Sequence, residues 1–378
     1  MNRIIVMLAV LLISAAGAAA AALPSPASPA IEIEAPESYK IHSGAVKVIV
    51  FTPDSKKIIS AGDDGIINII DPADGRPEKY LRHGSPVTAG AIGPGSRFFA
   101  SAGMDDTLKI WDIRTGRLMK SIKEKPENIR SLSFSAGGNF LAAGGEKGAV
   151  IYRMKDYKKV ETLKSPERAA VVDFSGGGRR FLTAFEDFVS VRNLKDPGAV
   201  SRFFKNDTIS FGEEEVFKQG MPVYSALFSR DGYYFAITGG KSFTSLWRSE
   251  DGLLLWTAMP SSADVWDAVF SPDSNFILLA AGKDGIIMLD VLKGRKTAVI
   301  RSEEADVLSA AVSGNGKYIA AGLRSGTVQV RAVSGMRKYK FENLYIAAAA
   351  AAAAVLLIII IYYLRKFIKR KKVKDWEV

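Results

Sequence analysis

Few side chains in this sequence suit catalysis. The only imidazoles are His42 and His83, and cysteine is absent. Without cysteine there is no thiolate nucleophile, disulfide framework or thiolate-held zinc, and two histidines are too few for most metal or triad chemistry. Residues suited to recognition are better represented. Tyr224, Trp266 and Leu308 stand at one equivalent position in three successive repeats, and Lys47 and Arg130 stand at that position in two others. Aromatic rings beside cations can anchor a protein segment. Ordinary packing is the alternative. Thr88 and Ala170 complete the same column. Asp63-Asp64 and Asp105-Asp106 fit either calcium ligation or backbone capping in acidic turns, and capping is the commoner use. Gly176-Gly177-Gly178 has no helical pattern after it, so it makes no phosphate cradle.

The elements that must position these residues recur along the chain. An apolar residue closes a short strand and a Gly/Pro/Asp/Ser turn follows it. The anchors are Phe51, Ile92, Phe134, Phe174, Phe228, Phe270 and Val312. Their spacing is roughly 42 residues, with one longer interval after Phe174. After each turn comes an apolar strand ending in small residues (IISAG, FFASAG, FLAAGG, ILLAAG), then a turn, an alternating strand, and an outer strand. Four strands at this period read as the blade of a β-propeller, since a lone blade cannot cover both of its faces. The sequence therefore predicts an all-β, seven-bladed propeller of four-stranded antiparallel blades. The long fourth connection, residues 205–220, holds Glu213-Glu214-Glu215 between Phe211 and Phe217. It fits a functional loop or an elaborated outer strand equally well.

Lys109-Ile110-Trp111-Asp112, following Ser101-Ala102-Gly103-Met104-Asp105-Asp106, is similar to the blade ending of the WD40 family, and His83-Gly84 resembles its blade start in reversed order. The resemblance covers residues 39–341. It implies that the Lys47–Leu308 column lies at the mouth of a central channel, where partners bind. It also implies a structural network of His83, Asp105, Ser101 and Trp111 in the second blade. The matching residues in the first blade are His42, Asp64 and Ser60, with Ile70 in place of Trp. Both histidines then have structural partners, which leaves little for catalysis. The other blades lack the histidine, as in a divergent, bacterial-type member.

The ends carry location signals. Residues 1–22 have a basic start, a short apolar core and small-residue cleavage sites, as a secretory signal has; an uncleaved anchor is the alternative. Residues 23–38 form a Pro-rich linker, with Ile31-Glu32-Ile33 a candidate strand. Residues 344–364 are free of charge. As a helix they reach about 31 Å, enough to cross a bilayer. Residues 365–378 start with a dense run of Lys and Arg, which places that side in the cytoplasm. This tail carries much of the net charge of +11, so nucleic-acid binding loses its main support. Contact with anionic lipid and a plain stop-transfer cluster both fit it. The termini compete for the closing edge of the ring, because Tyr39-Lys40-Ile41 resembles an outer strand and so do residues 336–341. The expectation is a single-pass protein of a bacterial cytoplasmic membrane, with the propeller on the periplasmic side. It gathers protein partners and uses no metal, cofactor or catalytic residue. A small-ligand sensor using the channel, or a propeller enzyme, are the alternatives.

Overall fold

The computed structural model describes residues 31–123, 127–164, 171–186, 188–194, 211–219 and 221–336. The predicted signal (1–22), span (344–364) and basic tail (365–378) lie outside the described residues. Among the described residues no helix is long and apolar enough to cross a membrane.

Seven antiparallel sheets follow one another along the chain. Blade one is β3–β6 (Val46–Phe51, Ile58–Gly62, Ile66–Ile70, Pro77–Arg82), and blade two is β7–β10 (Val87–Ile92, Phe98–Gly103, Leu108–Asp112, Arg117–Ile122). Blade three is β11–β14 (Ser131–Phe134, Phe140–Gly145, Gly148–Arg153, Lys158–Lys164), and blade four is β15–β18 (Val171–Phe174, Arg180–Ala184, Phe188–Leu194, Phe211–Lys218). Blade five is β19–β22 (Val223–Phe228, Tyr234–Gly239, Thr244–Arg248, Leu254–Ala258), and blade six is β23–β26 (Asp267–Phe270, Phe276–Ala280, Ile286–Asp290, Lys296–Ile300). Blade seven takes β27–β29 (Val307–Val312, Tyr318–Leu323, Thr327–Ser334) from its own repeat. Its outer edge comes from the other end of the chain, as β1 (Glu32–Ile33) and β2 (Glu37–Lys40).

All seven anchors are the last residues of the innermost strands. The fourth residue after each anchor lies in the left-handed region: Ser55, Ser96, Gly138, Gly178, Gly232, Ser274 and Gly316, with φ of 62°, 55°, 72°, 65°, 75°, 57° and 70°. Glycine and short polar residues tolerate that conformation, which is why these turns read so consistently in the sequence.

The second strand of a blade is buried on both faces, as in β4 and β12, because each face meets a neighbouring blade. The outer strands β6 and β10 are mostly exposed and polar. The apolar core is correspondingly divided into seven clusters, one for every seam between adjacent blades. The seam between blades seven and one joins Ala311, Ala320, Val328 and Val330 to Val46, Ile49, Phe51, Ile58 and Ile70, so the ring is closed.

Two boundaries move from their expected places. The closing strand begins at Glu32, inside the predicted linker 23–38, and not at residue 39. Glu32↔Ser334 and Ile33↔Val333 pair first, then Glu37↔Val330 through Lys40↔Thr327, with Pro36 between the two stretches. Proline has no N–H for the ladder, so pairing is interrupted there and resumes after it. The outer edge of β29 is therefore taken by β1 and β2. Residues 337–341 lie outside the described residues. The open question about 205–220 is settled for its second half, since Phe211–Lys218 is the outer strand of blade four, paired to β17. Glu214 accepts from the Ser190 hydroxyl and pairs with Arg192 at 2.8 Å.

Candidate functional site

The innermost strands share a local irregularity. Pairing skips Lys47 between Val46 and Val48, Thr88 between Val87 and Ala89, Tyr224 between Val223 and Ser225, and Leu308 between Val307 and Ser309. In blades three and six the equivalent Arg130 and Trp266 precede the strand, their N–H groups donating to the Gly144 and Ala280 carbonyls. A bulge leaves one residue unpaired and re-aims its side chain. Repeated around the ring, it brings one column of side chains to one end of the central channel.

The channel encloses about 460 Å³, and Lys47, Thr88, Arg130, Tyr224, Trp266 and Leu308 all line it. Ala170, the seventh member, lies outside the described residues. Tyr224 and Trp266, on adjacent blades, stack with ring centroids 5.3 Å apart and planes 6° from parallel. Trp266 is 44% exposed, which is unusual for a large aromatic side chain on a closed β scaffold. Arg130 is exposed and Leu308 half-buried. Lys47 pairs with Asp63. The Thr88 hydroxyl donates to the Ile129 carbonyl of blade three at 2.6 Å.

The two histidines are fully enclosed. His83 meets Ser101 Oγ at 2.8 Å, and the Trp111 indole N–H donates to the same hydroxyl at 2.8 Å. Asp105 reaches the ring less directly than the resemblance implied. Its carboxylate lies 3.5 Å from His83 and accepts from the Thr107 hydroxyl at 2.7 Å, while Thr107 meets His83 Nε2 at 3.1 Å. In blade one His42 meets Ser60 at 2.8 Å, Asp64 at 2.9 Å and Asn68 at 3.2 Å. Ile70 takes the Trp place and packs into the seam with blade seven. Burial lowers both imidazole pKa values, with Lys109 adding to the effect at His83 and the nearby aspartates opposing it. Neutral, enclosed rings tied to Ser and Asp are a blade-holding device.

Two carboxylates in the channel wall were missed in the sequence. Asp173, one residue before its anchor, accepts from the Ser133 hydroxyl of blade three and the Phe228 N–H of blade five, both at 2.9 Å. Asp267, three residues before its anchor, accepts from the Ala310 N–H of blade seven at 3.2 Å and from Ala268 N–H at 2.8 Å. Burial pushes both carboxyls up to about 6, against the pull of these donors. The signal was present, because the other blades carry Val, Ala, Leu or Ser at these two positions. The two aspartates stand on non-adjacent blades at different heights, so they stitch blades together and do not form a converging acid pair. Among the described residues no group of three or more His, Asp or Glu is placed to hold a metal ion.

The family model of the WD domain, G-beta repeat, matches residues 36–71, 75–112, 116–152 and 254–289. WD40 repeats are therefore present at four places in a seven-bladed propeller. Each matched stretch takes in the outer strand of one blade and the three inner strands of the next, the same offset by which β2 closes the ring. No curated protein matches the chain in sequence.

Proposed function

We propose that this protein is a non-catalytic scaffold, held at a membrane with its propeller on the extracytoplasmic side, that captures protein partners at the channel mouth. WD40 propellers commonly serve protein interaction. The observation that supports this mouth in particular is the stacked Tyr224–Trp266 pair, with Trp266 exposed, in a channel that Arg130 also lines. A rigid aromatic pair loses little side-chain freedom on binding, which suits it to anchor a partner segment. The location rests on the signal-like residues 1–22 and the uncharged residues 344–364.

Crosslinking in intact cells, followed by mass spectrometry, tests the proposal. Recurrent protein partners are expected, and the double variant Tyr224→Ala/Trp266→Ala should lose them. A folded double variant that keeps every partner removes the mouth from consideration. Protease added outside spheroplasts should cut the propeller; full protection would reverse the location. The channel volume and its internal carboxylates favour one second reading, a small ligand held in the channel. Native mass spectrometry of protein extracted from membranes would reveal it as an added mass.

A further inference from the structure

The two ends of the channel carry opposite charge. At the mouth, the turns between the second and third strands bear Asp63, Asp64, Asp105, Asp106, Glu146, Glu186 and Asp284 against Lys147, Lys241, Lys283 and Arg324, an excess of acids. At the other end lie the turns that follow the seven anchors. Four of them present an exposed cation that forms no ion pair among the described residues: Lys56, Arg179, Arg230 and Lys317. The acids of these turns are engaged locally. Asp54 accepts from Thr52, Asp231 from Ser229 and Asp273 from Ser271, each also capping a backbone N–H of its own turn. The outer turns on this side are balanced, since Asp71, Asp112, Asp156 and Asp251 hold Lys57, Arg97, Arg153 and Arg248. Hydrogen bonding leaves the charge of Asp54, Asp231 and Asp273 in place, so the innermost ring sets Lys56, Arg179, Arg180, Arg230 and Lys317 against these three carboxylates, an excess of cations. Arg230 extends beneath the channel, its guanidinium close to Gly314 of blade seven.

Both described chain ends leave from this same face. Glu32 pairs with Ser334, and Met336 packs against Gly316 in the last of these turns. From Met336 only seven residues precede the uncharged stretch 344–364.

We infer that the anchor-turn face of the propeller docks on an anionic lipid surface through Lys56, Arg179, Arg230 and Lys317. This rests on the membrane tether proposed above. A face on which cations outnumber acids complements a plane of phosphate headgroups. The acidic mouth is repelled by the same plane, so the aromatic pair stays available to partners. Each Lys or Arg close to such a surface strengthens partitioning roughly fivefold, and the effect fades beyond a Debye length.

The absence of cysteine gives a clean test. A Cβ at Gly95 or Gly177, both in anchor turns, meets nothing within 4 Å, so Gly95→Cys and Gly177→Cys are tolerated label sites. Lys283→Cys labels the mouth side. Full-length protein carrying one fluorophore is mixed with vesicles of neutral phosphatidylcholine, or of phosphatidylcholine with phosphatidylglycerol, whose headgroups bear a quencher. Quenching at 95 and 177, but not at 283, is expected in anionic vesicles and should vanish in 0.5 M salt. Lys56→Gln/Arg179→Gln/Lys317→Gln should weaken it on the order of 100-fold. Equal signals from both faces, no gain with anionic lipid, or tighter binding of duplex DNA to this face would overturn the inference. Flotation with neutral vesicles reports the tether separately. If the chain fails to float there, the tether fails, and quenching by anionic vesicles still decides the face.

Discussion

The mouth of the channel and its wall are built on the same seven strands, yet their side chains do different work. At the mouth, the column stacks the half-buried Tyr224 on the exposed Trp266. Further along the same strands, Ser131, Ser133, Asp173, Asp267 and Ser309 bond to the backbone or side chains of the adjoining blade. A propeller must hold blades that share no backbone hydrogen-bond ladder. The wall shows how side-chain donors and acceptors supply those links, and the stacked rings of the mouth show where the chain is free of that duty. Replacements at the mouth should alter capture and spare stability, and replacements in the wall or the blade networks should do the reverse.

The largest expected effect is at the mouth. Losing both rings of Tyr224 and Trp266 should weaken partner capture at least about 100-fold, as hot-spot pairs do, while the melting temperature moves by no more than about 2 °C. Pull-down and thermal melts on the same preparation check this, and a large fall in the melt would mean that the rings belong to the wall. His83→Ala comes next, on the opposite side of the comparison. It takes the ring partner from the Ser101 and Thr107 hydroxyls and opens a void beside Trp111, at a cost of about 3 kcal/mol, with capture retained.

The wall carboxylates give a pH signature. Their folded pKa of about 6 lies above the ordinary aspartate value. The stability they lend is present in full below about pH 4 and is lost as pH rises through about 6. The histidines act in the opposite sense, because burial lowers their pKa. Their contribution is complete above about pH 6.5 and falls away in acid. Asp173→Asn/Asp267→Asn should remove the first slope, on the order of 2 kcal/mol per residue, and leave melts that only improve from pH 4 to 7. A double variant with the wild-type pH profile would show that these carboxyls are not the titrating groups.

Thr88→Val sharpens the comparison with the smallest change. Thr88 stands in the mouth column but bonds across to Ile129 as a wall residue does. About 1 kcal/mol of stability should go, with no change in capture.

The blades were legible because each repeat meets the same two demands. Its second strand is buried on both faces, and its first turn needs a left-handed residue, so small apolar runs and Gly or Ser recur at one spacing. The mouth column was legible for the same reason, since residues that vary within a constant frame stand out. The start of the closing strand was not. Glu32 to Lys40 alternates weakly, is mostly exposed and contains Pro36, which are the marks of a linker as much as of an edge strand. Asp173 and Asp267 were hidden differently. An aspartate within an apolar strand shows its purpose only when the donor on the next blade is known, and Phe228 lies 55 residues from Asp173. The cations of the anchor turns were dispersed along the chain and became one surface only when the ring closed.

That ring is latched by the earliest and latest parts of the folded chain, as the separation of 291 positions from Ser38 to its partner Gln329 makes plain. A ribosome delivering this protein has already released β1 and β2 long before it makes β29. Until then the first and last seams lie bare, and the newborn chain must be shielded from pairing with its neighbours. Closing so long a loop is slow, but once made it ties the fate of both ends together. A protease that trims ten residues after Ala30 would unlatch blade seven as surely as one that removed its final strand.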